Sequence, residues 1–293
     1  MNLALTVLNI TAPVFLLASI GYVWVKAGHD YPMAFVTRMA MTVSVPCLVF
    51  VALMNTQISP QALATLTAAS FSAYAVVTIA FFAILKLTKQ DLPTYLPPLV
   101  FGNTGNLGLP LALFAFGQEG LGLAVVVFAV MAILSFTIGV WVVSGGGSLL
   151  KVVKEPVVAA TFGGALFLWQ GWKTPEFLTN ALDLVGQMAI PLMLITLGVA
   201  IARLKTGALF QALGLSVVKV AICVGAAWLA GSWFDLSPVA FGVLVVQIAT
   251  PVAVTSYLLA SKYSANAEPV AGLVVTSTLL SVVSLPLILA IVI

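Results

Sequence analysis

Charge is what this sequence is shortest of. Only 6% of its 293 residues are Asp, Glu, Lys or Arg and 62% are hydrophobic, against roughly a quarter charged in a typical soluble domain. Such a chain cannot clothe a soluble surface, so it reads as an all-α integral protein of the plasma or inner membrane. The polar loops are too short to build a soluble domain, which excludes a pump that carries its own nucleotide-binding domain. The net charge of +3 belongs to loop lysines and arginines and gives no basis for binding nucleic acid. Cysteine is scarce too. Cys47 and Cys223 both lie in apolar runs, where a free thiol behaves as a small hydrophobe, so neither a disulfide nor a metal site is expected, and no cofactor. The single histidine, His29, sits beside Asp30 in a loop. There is no G-x-S-x-G, no H-E-x-x-H and no phosphate-binding glycine loop with its lysine. An intramembrane enzyme would need a nucleophile with a base, or a pair of acids, at membrane depth, and the sequence has neither. Residues Met1 to Ile10 hold no Lys or Arg ahead of the first apolar run, so a cleaved signal peptide is not expected.

Long hydrophobic runs are what is there. Stretches of about 17 to 25 apolar residues suit a membrane crossing, and ten are expected: Leu5 to Lys26, Ala34 to Met54, Ala62 to Leu87, Pro93 to Phe116, Leu121 to Val143, Pro156 to Trp172, Pro175 to Arg203, Ala208 to Phe234, Pro238 to Tyr263 and Pro269 to Ile293. Residues 144–155, with Ser144-Gly145-Gly146-Gly147-Ser148 and the basic Lys151 and Lys154, form the natural midpoint. They separate a first five-helix repeat, 1–143, from a second, 156–293. Sliding one half over the other by 145 places superposes Trp24 on Trp169, Pro46 on Pro191 and Pro93 on Pro238, and brings Gly105 to Thr250, next to Pro251. Five helices per repeat force the halves into opposite orientations, the inverted-repeat plan of many secondary transporters.

Charge placement gives the orientation. With the N-terminus outside, the inner loops and helix ends hold Lys26, Arg38, Lys86, Lys89, Lys151, Lys154, Arg203, Lys205 and Lys262, while the outer side holds only Lys173. Lys and Arg collect on the cytoplasmic side, so both termini are expected outside. Arg38 and the tryptophans near helix ends (Trp24, Trp169, Trp172, Trp233) are accounted for by snorkelling and by the interfacial belt.

The stretch Gly102-Asn103-Thr104-Gly105-Asn106-Leu107-Gly108-Leu109-Pro110 interrupts the fourth run with helix breakers and amides. Glycine and proline free backbone groups from the helical ladder, which is tolerated at membrane depth only where protein or a wet cavity covers them. A helix restarting after the break aims N–H groups at whatever binds there, which suits a carboxylate. Gln247, Thr250, Pro251, Thr255 and Ser256 supply a matching break in the ninth run. Two broken helices at one depth could cross over a shared ligand; the alternative is that the small residues only allow close helix packing. The expected substrate-binding residues are Asn103, Thr104, Gly105, Asn106, Gln247, Thr250 and Thr255.

Gly102 to Pro110, followed by Leu111-Ala112-Leu113 and Gly117, resembles the fourth-helix motif of the auxin efflux carrier family, which includes plant PIN carriers and bacterial permeases described for malonate or malate. The resemblance extends along the chain through Pro46, Pro191 and Thr250-Pro251. It implies ten helices in two inverted five-helix repeats, crossing broken helices four and nine, and elevator-like movement of a transport domain against a scaffold. It further implies that Asn103 matches the crossover asparagine and that Pro110 and Pro251 are the crossover prolines. Asn106 stands where PIN motifs usually carry an apolar residue, so the cargo need not be auxin, and the long cytoplasmic loop of many PIN carriers is absent.

Two charged residues fall within spans. Asp183 is the only acid well inside one, towards its outer end, open to either an interfacial or a proton-transfer role. Lys219 lies near the middle of the eighth, where an unpaired ammonium is costly; it is either a structural lysine paired with carbonyls or a fixed positive charge that helps hold an anion or stands in for sodium. The expectation is a carrier for a small organic anion, most simply a carboxylate. A symporter coupled to H+ or Na+ and an anion channel are the alternatives. Gly21 in the first helix and Gly163 and Gly164 in the sixth are compatible with a homodimer.

Overall fold

A computed structural model describes residues 3–55, 58–144, 156–203, 209–262 and 266–293. Most of the expected midpoint, residues 145–155 with Lys151 and Lys154, and also Lys205, lie outside the described residues. Among the described residues the regular structure is helical: α1 (Leu3–Lys26), α2 (Met33–Asn55), α3 (Pro60–Leu87), α4 (Leu92–Val100), α5 (Thr104–Ser144), α6 (Pro156–Gln170), α7 (Glu176–Gln187), α8 (Ala189–Arg203), α9 (Leu209–Trp233), α10 (Pro238–Ile248), α11 (Val254–Lys262) and α12 (Ala267–Val292). Seven helical stretches are long and apolar enough to cross a membrane. The large apolar side chains they turn outward, among them Leu16, Ile79, Phe210, Leu229 and Leu279, would be untenable in water and are at home in lipid. The chain is an integral membrane protein.

Local chemistry sets the ends of these helices. Ser59, Asp91 and Ser237 each accept a backbone N–H three residues on (Ala62, Thr94 and Ala240), and proline follows at the first or second helical position of each helix, where its missing N–H costs nothing. α5 is divided at Gly117, whose φ of 66° and ψ of −157° lie outside helix space; glycine adopts that conformation without a Cβ penalty. The turn expected at 117–120 is therefore a sharp break at one residue. α2 contains a widened π-turn over Ala40–Ser44 just ahead of Pro46, one of the usual ways a helix takes up a local irregularity.

Packing divides the helices into two groups. α1 lies along α8, and α2 along α6 and α7; in the other group α9 packs on α3, α10 and α12, and α10 packs on α5. The first group is joined through glycines. A Cβ at Gly198 would run into the Ala18 carbonyl, one at Gly21 into the Ile195 carbonyl, and one at Gly164 would lie 3.1 Å from the Phe50 carbonyl oxygen. These are backbone-to-backbone contacts of the small-residue kind that membrane helices use. Gly21 and Gly164 are thus packed against neighbours within the chain.

Candidate functional site

Hydroxyl groups within the helices follow a common pattern. Thr11, Ser70, Thr78, Thr161, Ser216 and Thr278 each donate to the carbonyl four residues back, which settles a hydroxyl in an apolar surrounding. The interrupted segments break this pattern. α4 ends at Val100, and Phe101 (φ −95°, ψ 114°) leads the chain out in extended form. Gly102 then bridges Val252 in an antiparallel pair, and the Asn103 N–H donates to the Pro251 carbonyl at 2.7 Å. On the other side Thr250 Oγ1 donates to the Gln247 carbonyl at 2.7 Å, and the Val252 N–H donates to Ser277 Oγ of α12 at 2.9 Å. The two breaks therefore cross, held together by backbone hydrogen bonding.

The glycines fit the crossing. A Cβ on Gly102 would meet Thr250 Oγ1, and one on Gly108 would meet Gln247 Oε1. Absence of a side chain at these two positions is what lets the second break lie against the first. Gly105 is less confined: its Cβ would stand 3.1 Å from Phe128 and 3.7 Å from Met193 Cε.

After the break the chain restarts in a π-turn, Thr104–Gly108, whose first acceptor is Asn103 O, taking both Leu107 N and Gly108 N at 3.1 Å. The N–H groups of Thr104, Gly105 and Asn106 then have no acceptor within their own helix, as at any helix start, and the positive end of α5 points into the crossing. Beside it lie four buried side-chain atoms with no hydrogen-bond partner among the described residues: Asn103 Nδ2, Thr104 Oγ1, and Gln247 Nε2 and Oε1. Asn103 is 4% exposed, and Thr104, Gln247 and Thr250 are fully buried. Orphaned buried polar atoms cost about 1–3 kcal/mol each, and to find them gathered at one place calls for a ligand or water there.

The structure thus brings Asn103, Thr104, Gly105, Gln247, Thr250 and Pro251 together. It does not bring Thr255, which is exposed on α11, and Asn106 is only half-buried. Pro110 is buried in the first turns of α5, where it shapes the restart.

Lys219 stands behind the crossing. It is 1% exposed, and its Nζ donates to the Leu99 carbonyl at 3.1 Å and lies 3.6 Å from Cys223 Sγ. Leu99 is the penultimate residue of α4, so the ammonium caps the negative end of that half-helix. Asp183 is elsewhere: it lines a cavity of about 1150 Å³ between the two helix groups, with Asn55, Gln118, Glu119, Asn180 and Gln187 among the polar walls and Leu48, Leu123, Ile190 and Pro191 among the apolar ones. The Gln187 amide donates to Asp183 Oδ2 at 2.8 Å. Among the described residues no group of His, Cys, Asp and Glu is placed to hold a metal ion.

Sequence reasoning missed Ser277, one serine among several in α12; Met193, which presents α8 to the crossing; and Glu119, which joins Asp183 only through the fold. Nothing in their local sequence marks them.

A family model described as membrane transport protein matches residues 6–147 and 140–289. An uncharacterized transporter of Methanocaldococcus jannaschii is 26% identical over 216 residues, 70% of each chain. A Rhizobium meliloti protein named "Putative malonate transporter" is 23% identical over 297 residues, 94% of this chain and 92% of that one.

Proposed function

The chain belongs to the membrane transport protein family, the auxin efflux carrier family of the sequence resemblance, and from that premise we propose that it is a secondary carrier for a small organic anion, a carboxylate. The observation that carries this reading is the crossing itself. Four buried polar side-chain atoms without partners surround a helix start whose free N–H groups favour negative charge. Asn103 Nδ2, Gln247 Nε2 and Thr104 Oγ1 can all donate to carboxylate oxygens, and Gln247 Oε1 suits a hydroxyl or a water.

The reading includes ten crossings in two inverted repeats. At 41 residues, Thr104–Ser144 is about 60 Å of helix, twice a hydrocarbon core of roughly 30 Å, and Gly117 divides it. The shorter α6, α4 with the start of α5, and α10 with α11 supply the others. The packing of α1 on α8 is matched by that of α6 on α2, the pairing that an inverted repeat produces. Transport would move α3, α4, α5 and α9 to α12 as a body against α1, α2 and α6 to α8, with the crossing riding on the moving group. The lysine and arginine bias puts both termini, and the mouth of the cavity, outside the cell.

The test is uptake into proteoliposomes of a labelled dicarboxylate and a labelled aromatic carboxylate, with imposed pH, sodium and voltage gradients, and with Asn103→Ala as the control. Saturable uptake lost in the variant is expected, and the gradient that drives it identifies the coupling, whether H+, Na+ or neither. Failure of folded protein to take up either acid under any gradient removes the carboxylate reading. Uptake that does not saturate and shows no exchange makes the protein a channel.

A further inference from the structure

Two observations in different parts of the molecule bear on the charge of the cargo. The first is Lys219. Its ammonium is 1% exposed, its partners are a carbonyl and a thiol, and among the described residues no carboxylate pairs with it. It stands on α9, which packs on α3, α10 and α12, so it keeps company with the crossing whatever α1, α2 and α6 to α8 do. A buried charge without a counter-charge is expensive. One added negative charge at the crossing would balance this buried ammonium, and two would leave one buried negative charge without a counter-charge.

The second is the cavity between the helix groups. Glu119 and Asp183 both line it, and among the described residues no Lys, Arg or His does, Lys173 reaching only the wall residue Asn55. Asp183 is held in place by Gln187. Ile190 and Pro191 of α8 line its wall, and two residues past Pro191, Met193 lies against Gly105. Repulsion from two carboxylates scales with the charge on the visitor, so a dianion meets twice the barrier a monoanion does.

We propose that the cargo crosses with a single negative charge, that the Lys219 ammonium travels with it as its counter-charge, and that Glu119 and Asp183 are specificity-determining residues that turn dianions away. This rests on the carrier reading above and refines its substrate to singly charged carboxylates.

The probes are labelled malonate and its monomethyl ester, which share a skeleton and differ by one charge at neutral pH. Exchange is measured in proteoliposomes loaded with the same acid on both sides, so that only loaded carriers cross. The ester is expected to exchange with kcat/KM about ten-fold above malonate, the equivalent of one modest charge interaction. Its exchange is insensitive to an imposed membrane potential, while that of malonate is sensitive. The double variant Glu119→Gln, Asp183→Asn narrows the ester-to-malonate ratio several-fold. Lys219→Met makes residual ester exchange depend on voltage. Preference for malonate, or ester exchange in the parent protein that follows voltage, overturns the proposal and leaves the carrier reading standing. Exchange of neither acid by folded protein fails the carboxylate reading, and this refinement fails with it.

Discussion

Gly102→Ala is the sharpest structural test of the crossing. The new Cβ would overlap Thr250 Oγ1 and lie 2.9 Å from the Thr250 carbonyl oxygen. A hydroxyl can rotate away, but the carbonyl is fixed by the backbone, so the two segments must part. The Gly102–Val252 bridge and the 2.7 Å Asn103–Pro251 hydrogen bond then stretch together. Overpacking of a tight interior costs about 1–3 kcal/mol, and a buried hydrogen bond left unmade about as much again. The sum, roughly 2–6 kcal/mol, is a large share of the 5–15 kcal/mol that holds a typical protein together. Thermal unfolding of purified protein in detergent, followed by loss of the monodisperse peak, should show a clearly lowered midpoint. Adding Thr250→Ala removes the hydroxyl overlap but not the carbonyl one, so it restores the midpoint only in part. Gly108→Ala is the contrast. The atoms nearest its Cβ all belong to the Gln247 side chain, with Oε1 overlapping, Cδ at 2.8 Å and Nε2 at 3.0 Å. Gln247→Ala should therefore restore stability there while leaving transport lost. If Gly102→Ala unfolds with the parent midpoint and transports normally, the two breaks do not cross in this way.

Other perturbations divide by what they touch. Ser277→Ala leaves the Val252 N–H, now held at 2.9 Å, without its acceptor, and should lower stability by about 1–3 kcal/mol although the residue is far from the crossing in sequence. Gly198→Leu drives a side chain into the Ala18 carbonyl and should separate α1 from α8, seen as aggregation or loss of folded protein. Lys173→Met gives up bonds to the Met54 carbonyl at 3.2 Å and Asn55 Oδ1 at 3.0 Å. Because that lysine is exposed, the change in unfolding midpoint should correspond to no more than about 1 kcal/mol.

How much of the fold and the site is legible in the sequence depends on how local the signal is. The crossing is legible because Gly102, Gly105 and Gly108 with Asn103 stand out against an apolar run, and the same holds more weakly for Gln247, Thr250 and Pro251. Thr255 is not: the phase of a helix that restarts after a break cannot be counted through the break, and α11 turns that residue outward. The glycines of α1 and α6 are open to two readings, a neighbouring copy or close packing within the chain, and only the fold shows Gly21 against Ile195 and Gly164 against Phe50. The cavity is invisible, since Asn55, Glu119 and Asp183 come from three separate helices, α2, α5 and α7, and share no spacing. Lys219 is conspicuous as a charge in an apolar helix, yet its partner Leu99 is an unremarkable residue 120 positions away.

That partner allows the two readings of Lys219 to be separated by the sign of one stability change. Lys219→Met keeps the length of the side chain and removes the charge. The fold loses a hydrogen bond to the Leu99 carbonyl, 3.1 Å long, worth roughly 1.5–3 kcal/mol for a charged donor. It also no longer has to desolvate an ammonium that is 1% exposed, a penalty of several kcal/mol in real proteins. Desolvation outweighs the hydrogen bond when no carboxylate offsets it, and replacement of buried ionic groups by well-packed apolar ones is often neutral or stabilising. A lysine kept for its charge should therefore give a methionine variant that unfolds at or above the parent midpoint and transports poorly. A lysine kept only to hold the end of α4 should give a variant that unfolds earlier, with activity falling in proportion to folded protein. Unfolding midpoint and uptake per folded molecule, measured on one preparation, decide between them. A less stable variant with normal uptake per folded molecule would refute the functional assignment, because a charge that carries part of the transport cycle cannot be removed without slowing it.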